Sequence, residues 1–179
     1  MKGIVFTEFL EMVEQKFGIE TLEEIIEKSN LKSKGIYTAV GTYEFAEMLS
    51  LITNLSQETN INPQALLHAY GIYFFDVLTR KHAKIFEYYT SAIELLGGIE
   101  KHIHVHVRKM YPDAELPYFD VVEEGSNKLA LEYHSERAMY QFALGLMERT
   151  LEHYGEKATI TKELLNENGT KVLFTLVKT

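Results

Sequence analysis

The sequence predicts an α+β fold, in which an N-terminal helical lobe packs with a four-stranded antiparallel sheet and further long helices. Three observations point there. Apolar residues recur at three- and four-residue spacing from residue 4 to about residue 111. Beyond Pro112 the period falls to two. One last helical stretch then separates two pairs of alternating segments, giving helices first and a β-β-α-β-β block after them.

The elements follow in order. Val5, Phe6, Phe9, Leu10, Met12, Val13 and Phe17 mark a helix over 4–17, ended by Gly18. Thr21 and Glu24 have capping-box spacing and predict a second helix opening there. Residues 30–41, with Gly35 and Gly41, read as a loop. A third helix follows Thr42, carrying Phe45, Met48, Leu49, Ile52 and Leu55. Asn62-Pro63 starts a fourth, because Asn caps and Pro fits a first turn whose N–H has no partner anyway. A fifth helix is predicted over about 84–96, broken by Gly97-Gly98, and a sixth over Ile99–Tyr111, stopped by Pro112. Strands are predicted at 118–122 and 128–134, a helix at about 136–154, and strands at 157–164 and 171–178. Asn168-Gly169 lies between the last two, a hairpin signal because both residues tolerate positive φ.

Composition narrows the function. The net charge of −8 argues against a nucleic-acid partner, which needs a concentrated basic patch. The absence of cysteine excludes disulfides, thiolate metal sites and a cysteine nucleophile. No apolar run approaches the roughly 18 residues of a membrane helix. The Glu-bearing amphipathic stretch from Phe6 to Phe17 does not read as a signal peptide. A cytoplasmic protein with no membrane partner is the expectation.

Two clusters could carry chemistry. In His102-Ile103-His104-Val105-His106, a strand would put three imidazoles on one face. The flanking stripe Leu96, Ile99, Ile103, Val107, Met110 favours a helix instead. His104 then borders the apolar side, while His102 and His106 lean outward. Three ordinary histidines would explain the spacing as well. The second cluster is Tyr133-His134-Ser135-Glu136-Arg137, where a strand hands over to a helix that Ser135 could cap. Alternate Tyr, Ser and Arg donors suit a carboxylate or phosphate, because the guanidinium fork bonds two oxygens at once. A simple helix cap with an exposed Arg has the same pattern. No nucleophile–base arrangement suggests a hydrolase, and the chain is not expected to be an enzyme.

The motif Tyr133-x-Ser135-x-Arg137, a histidine about thirty residues upstream and the opening Met1-Lys2-Gly3-Ile4-Val5 together resemble the H-NOX (heme nitric oxide/oxygen binding) family. The resemblance extends over essentially the whole chain, including the Asn62-Pro63 helix through Gly71, the segment His104 to Pro117 and the terminal hairpin. It implies the H-NOX fold, with helices and sheet enclosing heme b (iron protoporphyrin IX). It implies a single domain over 1–179, about 1–60 the helical lobe and about 61–179 the heme-ligating lobe with the sheet. By resemblance, His104 ligates the iron, Tyr133, Ser135 and Arg137 hold the propionates, and Pro117 and Val5 pack on the macrocycle. Some bacterial relatives carry a cysteine-rich zinc site that this chain lacks, so packing by Ile160, Val172, Phe174 and Leu176 must hold the terminal hairpin.

The resemblance also bears on the gas. Oxygen-binding members use a distal tyrosine to hydrogen-bond the polar oxygen ligand. Phe9, Phe74 and Phe142 stand at the matching positions, and none can donate. Tyr140 falls on a different helical face from Phe142. The expected ligand is therefore nitric oxide, with carbon monoxide as a second, and little stable oxygen complex. Nitric oxide would weaken or break the iron–His104 bond and shift the helical lobe. The implied partner is a separate histidine kinase or cyclic-di-GMP enzyme. Two other readings remain at this point: a non-heme metal enzyme built on His102, His104 and His106, and a heme carrier.

Overall fold

A computed structural model describes all 179 residues. Its helices are α1 (Gly3–Phe17), α2 (Ile19–Lys28), α3 (Phe45–Thr59), α4 (Pro63–Lys81), α5 (Ala83–Tyr88) and α6 (Ala92–Gly97). A π-helical segment, Ile99–Ile103, leads into α7 (His104–Met110). Strands β1 (Tyr118–Glu124) and β2 (Lys128–His134), helix α8 (Tyr140–His153), and strands β3 (Ala158–Leu164) and β4 (Lys171–Lys178) follow. The predicted α+β order and the four-stranded antiparallel sheet are both present, with strand order β1-β2-β4-β3.

Local chemistry explains most boundaries. Asn62 Oδ1 accepts from Gln64 N at 2.8 Å and Pro63 is the first residue of α4, as the Asn-Pro pair predicts. The Thr21–Glu24 capping box does not form. Gly18, at φ 89°, turns the chain at once, so α2 already begins at Ile19. Thr21 then sits inside the helix, its hydroxyl donating to Phe17 O at 3.0 Å. The single helix predicted over 84–96 is two. Ser91 caps α6 by accepting from Glu94 N, and the Glu94 carboxylate accepts from Thr90 N at 3.0 Å. These paired bonds stop α5 and restart the chain. Likewise α8 starts at Tyr140 rather than near 136, and Ser135 does not cap it. Ser135 instead accepts from Arg137 N at 3.2 Å in a turn that leaves Ala138 at φ 49°. In the β3–β4 connection only Gly169 adopts positive φ, at 70°; Asn168 accepts from Thr170 N instead.

Apolar side chains gather in two cores. The first joins α1, α2 and α3 to the first half of α4, through Phe6, Phe9, Leu51, Leu55, Leu66 and Tyr70. The second lies between the sheet and α6 and α8, through Leu129, Leu131, Phe174, Leu96 and Met147. Val172, Phe174 and Leu176 of β4 are fully buried there, with Ile160 packed against them. Helices α4 and α8 cross where both are glycine. A Cβ on Gly71 would stand 2.2 Å from Phe142 O, and one on Gly145 2.2 Å from His68 O. Only glycine permits so close a backbone approach.

Candidate functional site

A cavity of about 290 Å³ lies where the two cores meet. Of the 32 residues lining it, 24 are hydrophobic, so it suits a largely apolar guest. Eight of the nine residues predicted from the sequence line it: Val5 from α1, Phe74 from α4, His104 from α7, Pro117, Tyr133 at the end of β2, Ser135 and Arg137 in the turn after it, and Phe142 from α8.

Phe9 is the exception. It is fully buried in the first core, with its ring 5.2 Å from that of Tyr70. Tyr70 in turn packs 5.6 Å from Phe74 and 5.1 Å from Phe142. Phe9 therefore supports the cavity's aromatic wall from behind. Tyr70 is not one of the nine predicted site residues, although its ring packs on both phenylalanines of that wall. Its hydroxyl is committed to Val5 O at 2.6 Å, and full burial holds its pKa well above the usual phenol value. Tyr140 does not line the cavity; its ring lies against Gly169.

On the opposite side, His104 is buried, and its Nδ1 lies 2.6 Å from Glu100 Oε1. That pairing leaves Nε2 to the cavity. Burial lowers the imidazole pKa, Glu100 pulls it back up, and Arg108 lowers it further. The shift favours the neutral ring that can bind a metal. Glu100 went unremarked in the sequence, although its spacing of four from His104 is a helical-neighbour signal. The neighbouring histidines do not join His104. The His102 Nδ1 bonds the Tyr89 hydroxyl at 2.7 Å, and the His106 ring faces His82 at 6.3 Å. No three His, Asp or Glu side chains converge on a metal-sized site, so the expected alternative of a His102/His104/His106 metal centre is not formed.

Polar groups mark one rim. The Arg137 guanidinium donates through Nη1 to Glu115 O at 2.8 Å and through Nη2 to the Glu115 carboxylate. The fork thus already holds a carboxylate. Tyr133 is buried, which raises its phenol pKa; the Ser135 hydroxyl, the Met139 backbone and Arg137 pull the other way. The N-terminal amine of Met1, also on the cavity wall, donates to Tyr43 O at 2.7 Å. The donor set therefore fits a flat apolar metal macrocycle with acidic edge groups: one free imidazole nitrogen on a wall, a carboxylate fork at the rim, and hydrocarbon elsewhere.

A family model described as haem-NO-binding matches residues 2–162. Among solved structures, the Fe(II) unliganded H-NOX protein from K. algicida is 49% identical, with a TM-score of 0.97 over 100% of this chain and 97% of that one. The H-NOX from Shewanella woodyi, solved in the Fe(II)CO state with IWP-051 bound, is 36% identical, with a TM-score of 0.85 over 100% of this chain and 95% of that one. The H-NOX protein from S. oneidensis in the Fe(II)NO state is 26% identical, with a TM-score of 0.91 over 100% and 99% of the two chains. No curated protein sequence matches significantly. A family match over most of the chain, on a fold that encloses an apolar cavity with one free imidazole, leads to one conclusion: the chain belongs to the haem-NO-binding (H-NOX) family of heme-binding gas-sensor domains.

Proposed function

We propose that this chain is a single-domain nitric oxide sensor that works in the cytoplasm and holds heme b through His104. The observation that carries the reading is the buried His104 itself, with Nδ1 taken by Glu100 and Nε2 left to an apolar cavity. Tyr133, Ser135 and Arg137 would hold the propionates at the rim, and Pro117 and Val5 would pack against the ring. Bound heme supplies an iron that takes nitric oxide and, on taking it, loosens its hold on a histidine. His104 would be the residue so released, and α7 would be freed with it.

The gas preference rests on Phe74 and Phe142. Neither can donate a hydrogen bond, and the hydroxyl of Tyr70 beside them is already used by Val5 O. A polar oxygen ligand would find no donor on that wall. Nitric oxide needs none, and carbon monoxide is the expected second ligand. The relatives from S. oneidensis and S. woodyi were solved with nitric oxide and carbon monoxide respectively, which supports a small-gas ligand here. The output is regulation of a separate histidine kinase or cyclic-di-GMP enzyme. A ligand that changes the hold on His104 binds two conformations unequally, which a signal requires. No helix is long and apolar enough to cross a membrane, in keeping with the proposed location.

The absorption spectrum of purified, reduced protein tests the reading, taken under argon, after nitric oxide and after air. A heme spectrum that changes with nitric oxide and shows no long-lived oxygen complex is expected. Colourless protein, or a stable oxygen complex, overturns it. Supplying imidazole to His104→Gly should restore heme binding while uncoupling the partner's response.

A further inference from the structure

We propose that Glu100 is a positioning residue that sets how firmly His104 holds the heme iron, and hence how readily nitric oxide releases it. The inference rests on the reading of His104 as the ligand.

The local backbone brings the pair together. The π-helical segment Ile99–Ile103 ends where His104 N donates to Ile99 O, one residue further back than an α-helix would reach. Such single π-turns recur at functional sites. Glu100 lies in this turn and His104 opens the α-helix after it. The carboxylate is also held from outside the helix. Glu100 Oε1 accepts from Phe119 N at 3.0 Å as well as facing His104 Nδ1 at 2.6 Å. Phe119 is in β1, an edge strand, so this amide is tied to Glu100 across the gap between sheet and helix. Side-chain exposure is 18% for Glu100 and 11% for His104, so water screens the contact little. Arg108, one turn beyond His104, reaches Glu100 Oε2 at 3.6 Å.

The chemistry follows from this arrangement. A carboxylate accepting from Nδ1–H fixes the tautomer whose lone pair is on Nε2. It also pushes electron density through the ring onto Nε2, making it a stronger donor to a metal. The proton stays on Nδ1. A neutral acceptor in the same place would fix the tautomer but supply less density. Arg108 draws on the same carboxylate from its far oxygen and so moderates the effect. Glu100 and Arg108 thus act on His104 with opposite sign.

Two variants separate this role from a structural one. Glu100→Gln keeps an amide oxygen where Oε1 accepts from Nδ1–H and Phe119 N, and removes only the charge. Arg108→Gln removes the moderating cation from a half-exposed position, where folding is not at stake. Resonance Raman spectra of the reduced, heme-loaded proteins read the iron–histidine stretch directly. Glu100→Gln should lower its frequency and Arg108→Gln should raise it. On adding nitric oxide, Glu100→Gln should lose the histidine ligand in a larger fraction of molecules than the parent, and Arg108→Gln in a smaller one. Transfer of heme to excess apomyoglobin should be roughly 10-fold faster from Glu100→Gln, the usual scale for losing such a partner. Unchanged frequencies in both variants, or shifts of the same sign, overturn the inference. An iron–histidine band absent from the parent, or persisting in His104→Gly, overturns the ligand reading beneath it.

Discussion

Arg137 and Glu115 show how one side chain can be ready for a guest while another holds its place. The guanidinium is bound on both nitrogens by the backbone and the carboxylate of a single residue. A heme propionate would bring a second carboxylate to the same fork. Arg137→Lys should therefore weaken heme retention, because an ammonium offers a point charge where the guanidinium offers two parallel donors. A charge-assisted bond is worth about 1.5–3 kcal/mol, which corresponds to a heme-loss rate raised roughly 10-fold or more. Glu115→Gln should act in the opposite direction by removing the competing charge. Heme transfer to apomyoglobin measures both, and equal rates in the two variants would count against any role for this fork. Tyr70 makes a second residue-level case. Its buried hydroxyl spends its proton on Val5 O, tying α4 to the first turn of α1. Tyr70→Phe should cost about 1 kcal/mol, the usual net worth of one such bond. The loss should appear as a lower denaturation midpoint with an unchanged denaturant slope.

Among the elements, α4 and α8 have the tightest constraint, the backbone contact at Gly71 and Gly145. A methyl on Gly145 would meet His68 O at 2.2 Å and Ile72 N at 3.0 Å, both backbone atoms that cannot rotate away. Gly145→Ala should gain about 1 kcal/mol of helix propensity. It should lose more, because overpacking typically costs about 1–3 kcal/mol and here the helices themselves must part. A net fall in thermal midpoint is expected; a rise would mean the contact is looser than described. The same helices show what could be read in advance. Long stripes and the Asn62-Pro63 cap announced α1, α3 and α4, and alternation announced all four strands. The errors came where one local bond competed with a wider pattern. Thr90, Ser91 and Glu94 split a helix that periodicity joined, and Gly18 overrode the Thr21–Glu24 signal. That His104 and the Tyr133, Ser135, Arg137 group would gather around one cavity was legible through spacing and resemblance. Glu100 carried only the weak signal of its four-residue spacing from His104, because the amide that also fixes its carboxylate belongs to a distant edge strand. That Phe9 lies behind the cavity wall was not legible, because nothing in the pattern says that Tyr70 packs between it and Phe142.

The two cores of the molecule are joined across the cavity's rim by a short strap, the residues between the end of α7 and the start of β1. Glu115 ties the strap to Arg137, and Asp113 ties it to the N-terminus. The Lys2 ammonium donates to both Asp113 oxygens at 3.1 Å, to Val40 O at 2.7 Å and to Thr42 Oγ1 at 2.9 Å. Thr42 itself donates to Asp113. Lys2 immediately precedes α1, and its backbone bridges Thr42. Any displacement of His104 along α7 would therefore reach the first lobe through Asp113, with few bonds between. The hydrogen bonds from Thr42 and then from Lys2 hold the Asp113 carboxyl below its ordinary pKa. A depressed carboxyl contributes stability above its unfolded pKa and loses it as pH falls through its folded one. Asp113→Asn should thus be less stable than the parent at neutral pH. The difference should shrink to nothing as the solution is acidified through and below the ordinary carboxylate range. Hydrogen exchange at neutral pH should quicken in the strap and in residues 38–43 while α8 stays protected. If the strap is the route of the signal, heme uptake and nitric oxide spectra of Asp113→Asn should match the parent's while the partner's response to the gas falls. An undiminished response would place the route elsewhere, most directly through the α4–α8 contact.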